Sequence, residues 1–139
     1  MTLRHFEEGD LAPCIFPSPQ MELETYRLAL LPNGYVRTVE LYDTVLAVFG
    51  LVVRWEGVGE SWAVMTEDAP GHGLAITKAA KLFIRGAHEV LGIRRIGCIV
   101  RYDELEHRKW VTLLGYEPEF FLRSYAEDGG DVMGYVKWA

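Results

Sequence analysis

The chain is poor in cysteine and has no cysteine pattern. Cys14 and Cys98 are its only two, and they lie far apart. That argues against a disulfide framework and against a cysteine-based zinc or redox motif. A reducing compartment is the expectation. Long apolar runs are missing as well. The longest, Val45 to Val53, is broken by Gly50 and ends at Arg54, too short to span a bilayer. Acids rather than an apolar stretch follow Met1 to Phe6, which argues against a secretory signal. Positive charge is in the minority, with 14 Lys and Arg against 20 Asp and Glu and a formal charge of −6. Such a surface repels nucleic-acid phosphates, so sequence-independent nucleic-acid binding is not expected. No repeat, linker or low-complexity segment appears. No Ser-His-Asp or Cys-His arrangement and no metal-ligand spacing can be assembled.

What remains is an ordinary globular composition. Half of the 139 residues are hydrophobic and 24% are charged, enough for one domain, residues 1–139, around one core. Leu3 to Phe6 reads as a short strand. Gly9-Asp10 starts a helical stretch limited by Pro13 and Pro17. Ser18 is placed to N-cap a helix from Gln20 to about Leu31, with Pro19 at its first position. Leu23, Tyr26 and Leu30 are expected on its inner face, and Pro32-Asn33-Gly34 stops it. Val36 to Leu41 and Thr44 to Trp55 read as a hairpin turning at Tyr42-Asp43. Ser61 to Thr66 is the next strand.

A helix from about Gly71 to Leu91 follows, with Ile76, Ala80, Phe83, Ala87 and Val90 on one face. Ile96 to Val100 reads as a strand. A second helix runs from Asp103 to Leu114, with Leu105, Trp110, Leu113 and Leu114 inward. Gly115 caps it. Tyr116 to Tyr125 and Val132 to Trp138 close the chain as a hairpin. The expected order is β-α-α-β-β-β-α-β-α-β-β, an α/β sandwich on a mixed, largely antiparallel sheet.

The stretch that carries chemistry is Trp62 to Leu74. An apolar strand runs into Pro70-Gly71-His72-Gly73, and the amphipathic helix starts at once. Glycines at a helix start cost about 1 kcal/mol each in helix propensity. They leave backbone N–H groups uncovered, which suits a pyrophosphate. The Gly-x-Gly turn, the element order and the Gly115-Tyr116 pair after the last helix together resemble the GNAT superfamily of N-acetyltransferases. The resemblance covers the whole chain. It implies acetyl-CoA as cofactor, held by Thr66, Gly71, His72, Gly73 and Leu74, and transfer of acetyl to an amine.

Three positions depart from that pattern, and one of them, where an Asn is expected near the end of the strand before the last helix, falls near Asp103-Glu104. A basic or amide residue is expected three positions before the first glycine, and Asp68 stands there beside Glu67. Asp68 also reads as an N-cap of the helix. The position four residues before Gly115, often a tyrosine that protonates the leaving thiolate, holds Val111, which has no exchangeable proton. Tyr102 and Tyr116 are the candidate substitutes. Glu60, Glu67 and His72 are the candidates for the base that activates the amine.

A second, narrower likeness rests on Leu46-Ala47-Val48-Phe49-Gly50, on Trp62 to Thr66, on Lys78 and Lys81, and on His107-Arg108-Lys109-Trp110-Val111-Thr112-Leu113-Leu114-Gly115. These look like the small internal virion proteins of short-tailed phages. That resemblance implies a virion-associated or assembly protein on a degenerate acetyltransferase scaffold, made in the host cytoplasm and bound to other virion proteins. The expected contact surfaces are the segment around Pro17-Ser18-Pro19 and a basic face formed by Arg101 with His107, Arg108 and Lys109. The alternative is an active acetyl-CoA-dependent N-acetyltransferase.

Overall fold

Alternating apolar residues assemble into one seven-stranded sheet. The computed structural model describes residues 1–139. The strands are β1 (Thr2–His5), β2 (Tyr35–Leu41), β3 (Thr44–Trp55), β4 (Val58–Met65), β5 (Arg95–Arg101), β6 (Glu117–Leu122) and β7 (Val132–Trp138). The helices are α1 (Pro19–Ala29), α2 (Gly73–Glu89) and α3 (Leu105–Leu113). The expected order holds throughout. The first helical stretch is a single 3-10 turn, Glu8–Leu11, because Pro13 leaves no room for more. Across the sheet the order is β1-β2-β3-β4-β5-β7-β6. All pairings are antiparallel except β4 with β5. A parallel pair needs a long crossover, and α2 supplies it.

Local signals explain the turns. Tyr42 and Asp43 both have positive φ, 49° and 63°, as a two-residue hairpin of type I′ requires. Ser18 accepts the Met21 N–H as N-cap of α1, with Pro19 at the first position. At the end of α3, Gly115 has φ 99°. The Tyr116 N–H returns to the Val111 carbonyl, which satisfies one of the helix's last carbonyls.

The two faces of the sheet are covered unequally. Against one face pack α2 and α3, through Ile76, Phe83, Val111 and Leu114, onto Phe49 and Ile96. Against the other lies a small cluster of Leu11, Ala29, Val36 and Val48. Several expected inner residues point outward instead. Val90 is 78% exposed because α2 ends one residue before it. Leu105 and Leu113 are exposed, and the inward row of α3 is Trp110, Val111 and Leu114. Leu23 in α1 and Leu30 just after it are exposed, while Thr25 and Ala29 are buried. Small side chains one turn apart let α1 lie close to the sheet.

Candidate active site

The site begins where two strands part. β4 and β5 pair only through Val58–Arg95, Gly59–Ile96 and Glu60–Gly97. Beyond that point β4 stays with β3 up to Met65, and β5 stays with β7 up to Arg101. The facing edges of Ser61–Val64 and Cys98–Val100 therefore carry backbone groups without ladder partners, while the Met65 carbonyl accepts the Ile15 N–H.

The gap belongs to a cavity of about 940 Å³ that reaches both faces of the sheet. On the α2/α3 side it is lined by Ser61, Cys98, Trp110, Val111 and Tyr116. On the α1 side it is lined by Trp62, Val64, Ile99 and Phe120, with Ile15 and Met21 above. Its lining is mostly hydrophobic, as in small-molecule sites.

Tyr116 stands at the vertex of the gap. Its hydroxyl is 2.9 Å from Ser61 Oγ, and Ser61 follows directly on the last paired residue of β4. Burial raises the phenol above its ordinary range, partly offset by the Ser61 hydrogen bond. The hydroxyl thus keeps its proton throughout the neutral range. Nearby, burial pushes the Cys98 thiol up to about 12, so it is no nucleophile at neutral pH. Val111, at the position where a tyrosine is expected, is buried in the core and lines the cavity with an apolar side chain.

The proposed bases separate. Glu60 lines the cavity, half-exposed, with Oε2 2.6 Å from Arg54. Glu67 and His72 do not line it; both are exposed in the turn before α2. Asp68 does not cap α2 either. The N-cap is His72, with no side-chain bond, and the Asp68 N–H donates to Thr66 Oγ1 in a tight turn.

That turn has the features of an anion cradle. Gly71 has φ 91°, which demands glycine. A side chain at Gly71 or Gly73 would meet nothing within 4 Å. The first bond from the helix to the turn runs from the Ile76 N–H to the His72 carbonyl, so the N–H groups of Gly73, Leu74 and Ala75 have no partner within the helix. Only the backbone of Leu74 is of use here, since its side chain is 91% exposed. Thr66 has a different role. It is buried, and its hydroxyl is directed at the Val45 and Leu46 carbonyls, so it anchors the turn to β3.

Sequence reasoning missed most of the lining. Trp62 rests over Gly50, where an added Cβ would come within 2.0 Å of the indole. Phe120 rests over Gly134 in the same way, at 2.1 Å. A glycine facing an aromatic across two paired strands is a usable signal, but it requires the register. The basic face is also altered. Arg101 bonds Asp103 and Asp128, Arg108 bonds the Tyr135 hydroxyl and the Tyr102 carbonyl, and Lys109 lies 3.7 Å from Glu106.

No protein-family model matches the chain. No curated protein matches it in sequence. Solved structures do match in shape. A point mutant of the spermidine N-acetyltransferase SpeG from Vibrio cholerae superposes with a TM-score of 0.78 at 16% identity, covering 99% of this chain and 95% of that one. A chimera of that enzyme with hSSAT gives 0.77 at 17% identity, covering 99% and 96%. At such identities the likeness is one of fold, and the fold is that of the GNAT acetyltransferases.

Proposed function

We propose that the chain is an acyl-CoA-dependent N-acyltransferase. The observation that carries this reading is the parting of β4 and β5 after three residue pairs, with a cavity through the gap and an open glycine turn at the start of α2. The residues fit the cofactor. The N–H groups of Gly71, Gly73 and Leu74 would take the pyrophosphate, and the unpaired edges of β4 and β5 offer partners to an amide-bearing arm. Glu67 and Asp68 are carboxylates near that cradle, and both are exposed, where solvent screens them. Bound there, acyl-CoA supplies a thioester carbonyl for attack by an amine.

The chain's own groups take up the proton chemistry. Tyr116, with its hydroxyl at the vertex of the gap beside Ser61 Oγ, is the proton donor on the α2/α3 side. Glu60 is the one of the three base candidates that lines the cavity, and it stands on the opposite face. Glu67 and His72 are left to the cofactor turn.

Acetyl-CoA added at a hundred times its Kd stabilises the protein by about 2.7 kcal/mol on this reading, seen as a rise in Tm. Gly73→Val leaves the free protein's Tm unchanged, because its Cβ meets open space, and weakens acetyl-CoA binding. Tyr116→Phe keeps cofactor binding and lowers kcat by about 10²-fold or more. An unchanged Tm with acetyl-CoA, together with no acetylated product by mass spectrometry, would sink the proposal.

A virion role, with other virion proteins as partners, ranks behind this reading. The solved structures that match in shape are acetyltransferases and lend it no support. The basic face it would use has its cations largely engaged within the chain. Finding the protein in purified particles would bring that role forward again.

A further inference from the structure

The likeness to spermidine acetyltransferases invites a polyamine as acceptor. The charges along the cavity argue otherwise. Four carboxylates line it: Glu24, Glu60, Glu104 and Glu119. Glu24 pairs with Arg27 at 2.7 Å and Glu60 with Arg54 at 2.6 Å. Glu119 pairs with Arg95, and Glu104 accepts from His107 at 3.2 Å. Arg54, Arg95 and Arg101 line the same cavity. Three arginines against four carboxylates leave a lining charge of only −1 with His107 neutral. A polyamine carries several positive charges along a thin chain, and each needs a carboxylate that is free. Here the carboxylates are already engaged.

The α1 side of the gap offers something else. β5 lies inside the sheet, between β4 and β7, yet Ile99 on its α1 face is 50% exposed. A solvated face of an antiparallel sheet normally carries polar residues, so an isoleucine there is apolar surface left without cover. The helix α1 covers the β3 side and stops short of β5, so a trough remains. Ile99 and Gly97 form its floor, flanked by the flat-lying rings of Trp62 and Phe120, with Ile15 and Met21 above. Gly50 and Gly134 let the two rings lie down against the sheet. The trough is continuous with the gap where Tyr116 and Ser61 meet, within one cavity.

We infer that the acceptor is a primary amine borne on an aromatic or branched apolar body, which fills the trough between Trp62, Ile99 and Phe120 and presents its nitrogen at the β4–β5 gap. This rests on the acyltransferase reading above. In the transfer the amine nitrogen forms the C–N bond to the acyl carbon of an acyl-CoA thioester as the C–S bond breaks. The ammonium gives up one proton to become the attacking amine and a second as the amide forms; the departing sulfur takes up one of them and the other leaves to solvent. The apolar body supplies binding through buried area and aromatic contact. A single ammonium needs only one negative charge, which is the lining's excess of carboxylates over arginines.

The test compares 2-phenylethylamine with spermidine on the full chain. Calorimetry with each amine alone measures the trough without the cofactor; turnover with acetyl-CoA measures the reaction. We expect 2-phenylethylamine to bind at least tenfold tighter and to be acetylated with the higher kcat/KM. Phe120→Ala should weaken it about tenfold and leave acetyl-CoA binding unchanged. Ile99→Glu puts a free carboxylate on a half-exposed floor position that tolerates it. It should weaken 2-phenylethylamine and improve spermidine, reversing the order. Tighter binding or faster turnover of spermidine by the unaltered protein overturns the inference while leaving the acyltransferase reading intact. Absence of any acetyl-CoA binding overturns that reading, and the calorimetric order then still decides the trough. If neither amine binds and the chain is a dimer that Ile99→Glu dissociates, a second copy occupies the trough and the inference is wrong.

Discussion

The two faces of this sheet are held by different means. On the α2/α3 face, eighteen buried residues form one continuous apolar cluster. On the α1 face the buried apolar cluster has four, and a polar network stands at its far end. Asp10 is buried and accepts from Arg4 at 2.8 and 2.9 Å, from Thr38 at 2.7 Å and from the Glu7 N–H at 2.8 Å. Arg4 also reaches Glu40 at 2.5 Å. At the near end, over β5 and β7, the face is open. A sheet face can be held by apolar area or by a few fully satisfied polar groups, and here the second way goes with the more open face.

The largest expected effect is on the apolar face. Phe83 is buried against Tyr35 and Phe49, with ring centroids 4.9 and 5.7 Å away. Phe83→Ala should cost about 3–5 kcal/mol in urea unfolding. A smaller loss would mean that this core collapses around the gap more readily than it is packed. Next comes Gly50→Val, which drives Trp62 off the sheet. It should cost about 1–3 kcal/mol by overpacking and weaken amine binding at the trough, whereas acetyl-CoA binding should hold.

The polar network is tested through pH. Burial raises the Asp10 carboxyl, but its hydrogen bonds from Arg4, Thr38 and the Glu7 N–H outweigh that and hold it below the usual carboxylate range. A depressed folded pKa adds stability above the unfolded value of about 3.9, and that share is lost as pH falls through the folded pKa. Asp10→Asn should therefore cost about 2 kcal/mol near neutrality. It should also flatten the decline of stability in acid. Equal acid sensitivity in both proteins would show that the network adds no net stability. The smallest effect is expected in the trough. Ile99→Ala, half-exposed, should cost less than about 1 kcal/mol, and a loss like that at Phe83 would mean the trough is closed in solution.

Much of the fold could be read from residue patterns because those patterns are local. Ser18-Pro19 starts a helix, Gly115 ends one, and alternation in β2 and β3 marks a hairpin, each through interactions within a few residues. The glycine turn at Gly71 was legible for the same reason. Exposure of Leu23, Leu105 and Val90 was not, because a 3.6-residue period offers several possible faces and only the neighbouring sheet selects one.

The sequence by itself determined the order of elements, the open glycine turn at the start of α2 and the absence of a tyrosine at Val111. Only the tertiary structure decided where β4 leaves β5. It also set Tyr116 against Ser61, laid Trp62 and Phe120 on facing glycines and paired the carboxylates of the cavity with arginines. The physical reason is range. Turns and caps are settled by neighbours in the chain, whereas a cavity is made by residues as distant as Ser61 and Tyr116, whose meeting depends on how every strand between them is paired.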